Sequence, residues 1–170
     1  MEPIFWEKRN SVYPPTTYLT FAYWIYMVPQ YKPESVLILG YAGGTTAGLI
    51  RLLYGDVPIT AVDIVPCENR YGVNLIEADA RDFIKACGHF DTIIVDLSTE
   101  ESKCCDFITD QEFVTNLLQI GNYLIINTLG NKDMSAYNDL RRVGINKPSG
   151  SSNLIYYYEV KKIPNLHPYK

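Results

Sequence analysis

Val36-Leu-Ile-Leu-Gly40-Tyr-Ala-Gly43-Gly44-Thr45-Thr46, followed by Ile59-Thr-Ala-Val-Asp63, is the stretch on which the reading of this chain turns. One apolar run passes into small residues, and a second closes on an acid. Glycines let a backbone approach a ligand with no Cβ in the way. A carboxylate at the tip of the next strand can accept hydrogen bonds from both hydroxyls of a ribose. The pair predicts a strand–turn–helix–strand unit that binds a nucleoside, with Gly40, Tyr41, Ala42, Gly43 and Gly44 in the loop and Asp63 on the ribose.

The loop also bears on the kind of nucleoside. The dinucleotide fingerprint Gly-x-Gly-x-x-Gly uses its later glycines to seat a pyrophosphate on a helix N-terminus. Counted from Gly40, those positions hold Ala42 and Thr45, which weakens an NAD reading. A ligand without phosphates needs only a flat, close-packed loop, and S-adenosylmethionine is such a ligand. The plain alternative is a tight strand-to-helix turn that binds nothing.

Working outward, 170 residues of which 47% are hydrophobic and 20% charged make one globular domain with its own core. The formal charge of -4 gives no electrostatic footprint for nucleic acid, and Lys8-Arg9, Arg141-Arg142 and Lys161-Lys162 are scattered. The longest apolar stretch, Tyr18 to Val28, falls short of the roughly 20 residues that span a bilayer. No basic segment with a cleavage site precedes it, so no membrane association and a cytoplasmic protein are expected. Cys67, Cys87, Cys104 and Cys105 form no Cys-x-x-Cys pair and have no histidine at ligand spacing; free thiols are expected, with no metal and no disulfide.

From residue 36 the pattern alternates. Strands are expected at Val36–Leu39, Ile59–Asp63, Val73–Glu77, Thr92–Asp96 and Tyr123–Asn127, with helices at Thr45–Tyr54, Phe83–Cys87 and Asp110–Ile120 between them. Short continuous apolar strands alternating with amphipathic helices make a parallel sheet covered on both faces. Asp133 to Arg142 reads as a further helix, and Val143–Asn146 with Asn153–Val160 as an antiparallel edge hairpin. Only about nine residues separate Asp63 from Val73, whereas a parallel crossover usually needs a dozen or more, so the helix there is lost or shortened. Upstream, Pro14-Pro15 and the aromatic run Thr16 to Val28 read as a buried helix ending before Pro29, packed beside the site or a partner. The expected organisation is an extension over 1–33, a nucleoside-binding domain over 34–163 and a tail over 164–170.

In an open α/β sheet the ligand lies outside the carboxyl ends of the strands. Asp79 follows the third strand closely enough to accept from an adenine amino group, while the N–H of Ala80 or Arg81 can serve a ring nitrogen. Asp79 or Asp82 can equally cap the helix that follows. Asp96 ends the run Thr92-Ile-Ile-Val95, where a carboxylate borders the reacting centre and can orient or deprotonate an amine; a loop-capping role is the alternative.

These segments together resemble a family. Gly40-Tyr-Ala-Gly-Gly-Thr45, Val62-Asp63-Ile-Val-Pro66, Glu77-Ala-Asp79-Ala-Arg81-Asp-Phe83 and Phe90-Asp-Thr-Ile-Ile-Val-Asp96-Leu-Ser98 look like successive motifs of the polyamine aminopropyltransferases. That group is the spermidine synthase-like branch of the class I S-adenosylmethionine-dependent methyltransferase superfamily. Phe107-Ile-Thr-Asp-Gln-Glu-Phe113 resembles a further segment of it. The resemblance implies a Rossmann-like fold with a mostly parallel seven-stranded sheet and an antiparallel C-terminal hairpin. It implies S-adenosylmethionine or its decarboxylated form as cofactor, with S-adenosylhomocysteine or methylthioadenosine as product. By the same resemblance the Gly40 to Gly44 loop faces the sulfonium end, Asp63 the ribose and Asp79 the adenine; Ile64, Ala80 and Leu97 lie beside the cofactor, and Asp96 is the catalytic group near the acceptor.

The chain also departs from that family. The segment before Tyr18 cannot supply its N-terminal hairpin domain in full, Thr99 stands where a second acid is usual, and no Gln-Glu pair matches around Tyr18 to Tyr23. The expected activity is alkylation of a small amine-type acceptor, a polyamine among the candidates, by methyl or aminopropyl transfer; a homodimer is compatible with the family. The alternatives are a catalytically inactive nucleoside-binding or interaction protein on the same fold and, further off, an NAD enzyme.

Overall fold

Runs of β-branched residues and leucine without polar alternation are stable as strands only where both sheet faces are covered. The computed structural model describes residues 4–6, 10–12, 23–99, 101 and 103–161, and it assembles the apolar runs in that way. Its strands are β1 (Ile4–Trp6), β2 (Asn10–Val12), β3 (Val36–Leu39), β4 (Ile59–Asp63), β5 (Asn74–Glu77), β6 (Phe90–Val95), β7 (Gly121–Leu129), β8 (Arg141–Asn146) and β9 (Asn153–Glu159). The helices are α1 (Thr45–Tyr54), α2 (Ala80–Ala86) and α3 (Gln111–Ile120). β1 and β2 pair as a short antiparallel ribbon, and the other strands form one seven-stranded sheet in the order β5-β4-β3-β6-β7-β9-β8. Neighbours are parallel from β5 to β7, and β9 and β8 add antiparallel at one side. The chain thus runs outward from β3 to β5 and then crosses back to β6, which makes the β3/β6 junction a topological switch point.

The strands sort their side chains by period two onto two apolar layers. Leu37, Leu39, Val62, Ile93, Val95, Leu124 and Ile126 pack with Ile84 of α2 and Phe113, Val114 and Leu117 of α3. Val36, Ile38, Ala61, Ile94 and Ile125 pack on the other face with Ala47, Leu49 and Ile50 of α1 and with Met27. Two buried tyrosine hydroxyls meet backbone carbonyls: Tyr157 donates to that of Tyr26 at 2.8 Å, and Tyr137 to that of Ile108 at 2.5 Å.

Two elements depart from the sequence expectation. Asp133 to Arg142 is not a helix: a single 3-10 turn spans Ser135–Tyr137, and β8 already begins at Arg141. The Asp133 carboxylate takes the N–H of Ser135 at 2.9 Å, and the pairing of Arg141 and Arg142 with Glu159 and Tyr158 pulls the remainder into the sheet, so tertiary pairing overrides local propensity. Of the aromatic N-terminal helix only residues 23–28 lie among the described ones, and there Tyr23–Met27 form a 3-10 turn; residues 13–22 fall outside them. The two flanking arginine positions at 141 and 142 therefore belong to a strand rather than a helix end.

The short crossover after β4 contains no helix. Arg51 of α1 stands in for one, giving its Nε to the carbonyl of Tyr71 at 3.3 Å and an Nη to that of Gly72 at 3.2 Å, and also capping the carbonyl of Val57. Within the loop Asn69 clamps Val73 in both directions, accepting its N–H at 3.1 Å and donating to its carbonyl at 2.6 Å. Carbonyls that a helix would have satisfied internally are met by one guanidinium and one amide. Arg51→Ala is expected to lower stability by about 1–3 kcal/mol and to raise amide exchange across 64–73 selectively. Urea denaturation with hydrogen exchange checks both, and uniform exchange protection would show that the loop stands without Arg51.

Candidate active site

The register of the sheet decides which residues meet. Leu39 pairs with Val62 on one side and with Val95 on the other, and Val95 pairs with Ile126. One residue further, Asp63, Gly40, Asp96 and Asn127 therefore stand side by side at the carboxyl edge. Leu39, Val62, Val95 and Ile126 all face the α2/α3 layer, so this next row projects to the opposite face, that of α1 and the Tyr23–Met27 turn. Glycine at the centre leaves a gap between two carboxylates whose strands lie roughly 10 Å apart, twice the inter-strand spacing.

Gly40 is required there. Its φ is +92°, and a Cβ would lie 2.2 Å from the Asp96 carbonyl oxygen. Gly44, also left-handed at φ +77°, lies under the Tyr41 ring, 2.5 Å from where its Cβ would be. The loop between them is held by Asp63: Oδ2 accepts the N–H groups of Tyr41 and Ala42 at 2.9 Å each, and Oδ1 accepts that of Val65 at 3.0 Å. This grip keeps Ala42 at φ +47°, a conformation that non-glycine residues seldom adopt. With about four acceptor directions on a carboxylate, Asp63 has roughly one left for a ligand. It can meet one ribose hydroxyl as it stands, and meeting both requires a backbone donor to give way.

A cleft of about 440 Å³ opens over this row, within the usual range for a small-molecule site. Gly40, Tyr41, Ala42, Gly43, Asp63, Ile64, Asp79, Ala80, Asp96 and Leu97, all expected at the cofactor, border it. Gly44 does not, because the Tyr41 ring covers it. Asp79 has two tasks: it caps α2 by accepting the Arg81 N–H at 2.8 Å, and it pairs with the Arg81 guanidinium at 2.5 Å. That guanidinium holds the Asp79 carboxyl below the ordinary carboxylate range. α2 starts at Ala80, earlier than expected, so Asp79 and not Asp82 is the cap. The Arg81 guanidinium also lies 4.9 Å from the centre of the Phe107 ring, which forms a flat apolar wall of the cleft.

Asp96 is gripped by side chains from two other elements. Oδ2 accepts the Tyr23 hydroxyl at 3.0 Å and Oδ1 the Asn127 amide N–H at 2.7 Å. Burial pushes its pKa up; the two donors offset part of that rise, and Asp63 adds to it. Burial likewise holds the Tyr23 phenol well above its usual range, so it stays a donor. Two thiols border the cleft, and both are unsuited to nucleophilic work: burial, then Asp63, pushes Cys67 up to about 12, and burial raises Cys105. All four cysteines are free, and among the described residues no group of His, Cys, Asp and Glu could hold a metal ion. Nor, among those residues, is any helix long and apolar enough to cross a membrane.

Tyr23, Trp24, Phe107, Asn127 and Asn153 line the cleft without having been picked out as site residues from sequence. Asn127 had a readable signal: it follows Leu124-Ile-Ile126 as Asp96 follows Ile93-Ile-Val95, so the strand-end rule applied to Asp96 finds it too. Tyr23 had none, since nothing local to an aromatic run says which ring will reach across the sheet.

No protein-family model matches the chain, and no curated protein matches it in sequence. Solved structures do match in fold. Human methyltransferase-like protein 13 in complex with SAH aligns with a TM-score of 0.62 at 17% identity, over 92% of this chain and 80% of that one. TrmN from Thermus thermophilus aligns at 0.55 and 14% identity, over 74% of this chain and 43% of that one. TehB from Haemophilus influenzae aligns at 0.54 and 12%, over 75% and 57%, so this chain spans about half the length of the latter two. The fold is that of the class I S-adenosylmethionine-dependent methyltransferases.

Two outcomes follow from this geometry. Gly40→Ala, strained in φ and driven into the Asp96 carbonyl, should cost about 3 kcal/mol or more, measured by urea denaturation; a loss under about 1 kcal/mol would mean the strand ends can part freely. Burial raises the Asp96 pKa above its unfolded value, so Asp96 favours folding when protonated and opposes it as pH rises through the folded pKa. Asp96→Asn should therefore melt higher than the natural chain at pH 7, with the difference shrinking as pH falls below the ordinary carboxylate range. A variant that melts lower at pH 7 would show that the two donors outweigh burial.

Proposed function

We propose that this protein is a transferase that binds S-adenosylmethionine or its decarboxylated form and alkylates a small amine, in the manner of the spermidine synthase-like branch. The observation that carries the reading is the row Asp63, Gly40, Asp96: two carboxylates flanking a side-chain-free gap, at the switch point of this fold and under a cleft of nucleoside size. A glycine gap suits a ligand that passes between two acids without phosphates. Asp79 beside Ala80 at the far wall suits the edge of an adenine, and the Phe107 ring offers it an apolar face.

Bound in this cleft, the cofactor supplies a carbon made electrophilic by an adjacent sulfonium, with a neutral thioether as leaving group. The chain's own residues then have two tasks. The loop from Gly40 to Gly43 and the aromatic pair Tyr23 and Trp24 hold donor and acceptor in line, which accounts for much of the rate gain. Asp96, with its pKa raised by burial, accepts a proton from the acceptor ammonium, so that the nitrogen attacks with its lone pair free. The second reading, a nucleoside-binding protein without catalysis, draws on Asp63 and Asp79, whose carboxylates both already serve the backbone.

Calorimetric titration with S-adenosylmethionine, its decarboxylated form, S-adenosylhomocysteine, methylthioadenosine and NAD is the first test. Binding of the sulfonium or thioether nucleosides with NAD inert is expected; tight NAD binding alone would overturn both readings. Turnover with putrescine, spermidine and simple amines comes next. Asp96→Asn should slow it by at least about 10²-fold, the usual size of a general-base effect. Cofactor binding with no turnover of any amine would leave the non-catalytic reading standing.

A further inference from the structure

A buried amide that uses both N–H groups and leaves its oxygen unpaired is an expensive choice for a strand interior. Asn127 is 4% exposed in β7, directly after the apolar run Leu124-Ile-Ile126 and before the buried Thr128. Its Nδ2 donates twice, to Asp96 Oδ1 at 2.7 Å and to Asn153 Oδ1 at 2.8 Å, while its Oδ1 is buried with no hydrogen-bond partner. Both neighbours are acceptors, so the amide cannot turn over to satisfy its oxygen without facing a carbonyl to a carboxylate. Asn153 is itself fixed, its backbone N–H on the Ser151 hydroxyl at 3.1 Å and its side-chain amide on the same oxygen. Packing alone would favour leucine or valine at 127, which leave nothing unsatisfied.

We propose that Asn127 is a positioning residue, which fixes the Asp96 carboxylate against the cleft and holds it in the ionised form. The anchor runs from Ser151 through Asn153 to Asn127, so the turn that opens β9 sets the orientation of the acid at the end of β6. Tyr23 holds the other oxygen. Between them the two donors leave Asp96 acceptor directions toward the cleft, the arrangement a proton acceptor needs. Asn127 borders the cleft, and its hold on the acid is exerted through Asp96 Oδ1. The inference rests on the transferase reading for its catalytic consequence, but the effect on Asp96 is measurable without turnover.

The test follows the Asp96 carboxyl carbon by NMR titration of the full chain, identified as the resonance lost in Asp96→Asn. In Asn127→Leu the proton affinity of Asp96 should rise roughly tenfold, because a hydrogen bond to the ionised form is removed. Asn153→Ala, which releases the anchor and leaves the donor, should move it in the same direction by less, and it serves where Asn127→Leu does not fold. Asn127 and Asn153 both border the cleft, so S-adenosylhomocysteine affinity is measured in each folded variant alongside the titration, and the proposal is read on the Asp96 titration and not on that affinity. An Asp96 titration unmoved in a folded variant overturns the proposal, whatever the melting temperature does. Failure of S-adenosylhomocysteine to bind the natural chain would instead overturn the transferase reading and leave the titration result intact. Where turnover exists, its acidic limb should shift upward with the Asp96 titration, and a shift confined to KM would count against the proposal.

Discussion

The parallel ladder that sets Leu39 between Val62 and Val95 is the constraint on which the site depends. Backbone hydrogen bonds at the strand ends, from Gly40 to the Val62 carbonyl and from Asp96 to the Leu39 carbonyl at 2.8 Å each, continue the ladder one residue past the apolar core. That extra residue is where the chain changes from hydrocarbon to carboxylate. A slip of one position would turn every one of these side chains to the opposite face, and the buried apolar sets on both faces forbid it. The site is in this sense a by-product of how the core aligns its strands.

The acids at this edge carry structural work as well. Asp63 organises the glycine loop that any ligand must meet, and Asp79 starts a helix. Such sharing couples ligand affinity to local stability: a ligand that takes an acceptor direction from Asp63 competes with the backbone donors that keep Ala42 in its left-handed conformation. Asp96 differs, since its partners are side chains from the Tyr23–Met27 turn and from β7 rather than its own backbone neighbours. An acid held by remote side chains and raised in pKa by burial suits proton transfer, and it is a cost to the fold.

The missing crossover helix shows how such a fold tolerates loss of an element. Arg51 and Asn69 answer the carbonyls that would otherwise be orphaned, and Cys67 and Tyr71 pack against the α1 side of the core. The loop stays close to the cleft, bringing Val65 and Cys67 to its wall. The departure therefore reshapes one wall of the site and leaves the register untouched.

By itself the sequence determined the fold class, the positions of β3, α1 and β4, the short crossover and the acids at 63, 79 and 96, because each rests on local pattern: apolar period, glycine at a turn, an acid at a strand end. It misread Asp133 to Arg142, whose last two residues pair with β9, and it assigned Gly44 to a wall that the Tyr41 ring occupies. Only the tertiary structure decided that Tyr23 and Asn127 grip Asp96 and that Asp63 spends most of its acceptors on its own loop. Those contacts join residues 73, 31 and 22 positions apart, and no local period records them. They exist because strands far apart in the chain end at the same height.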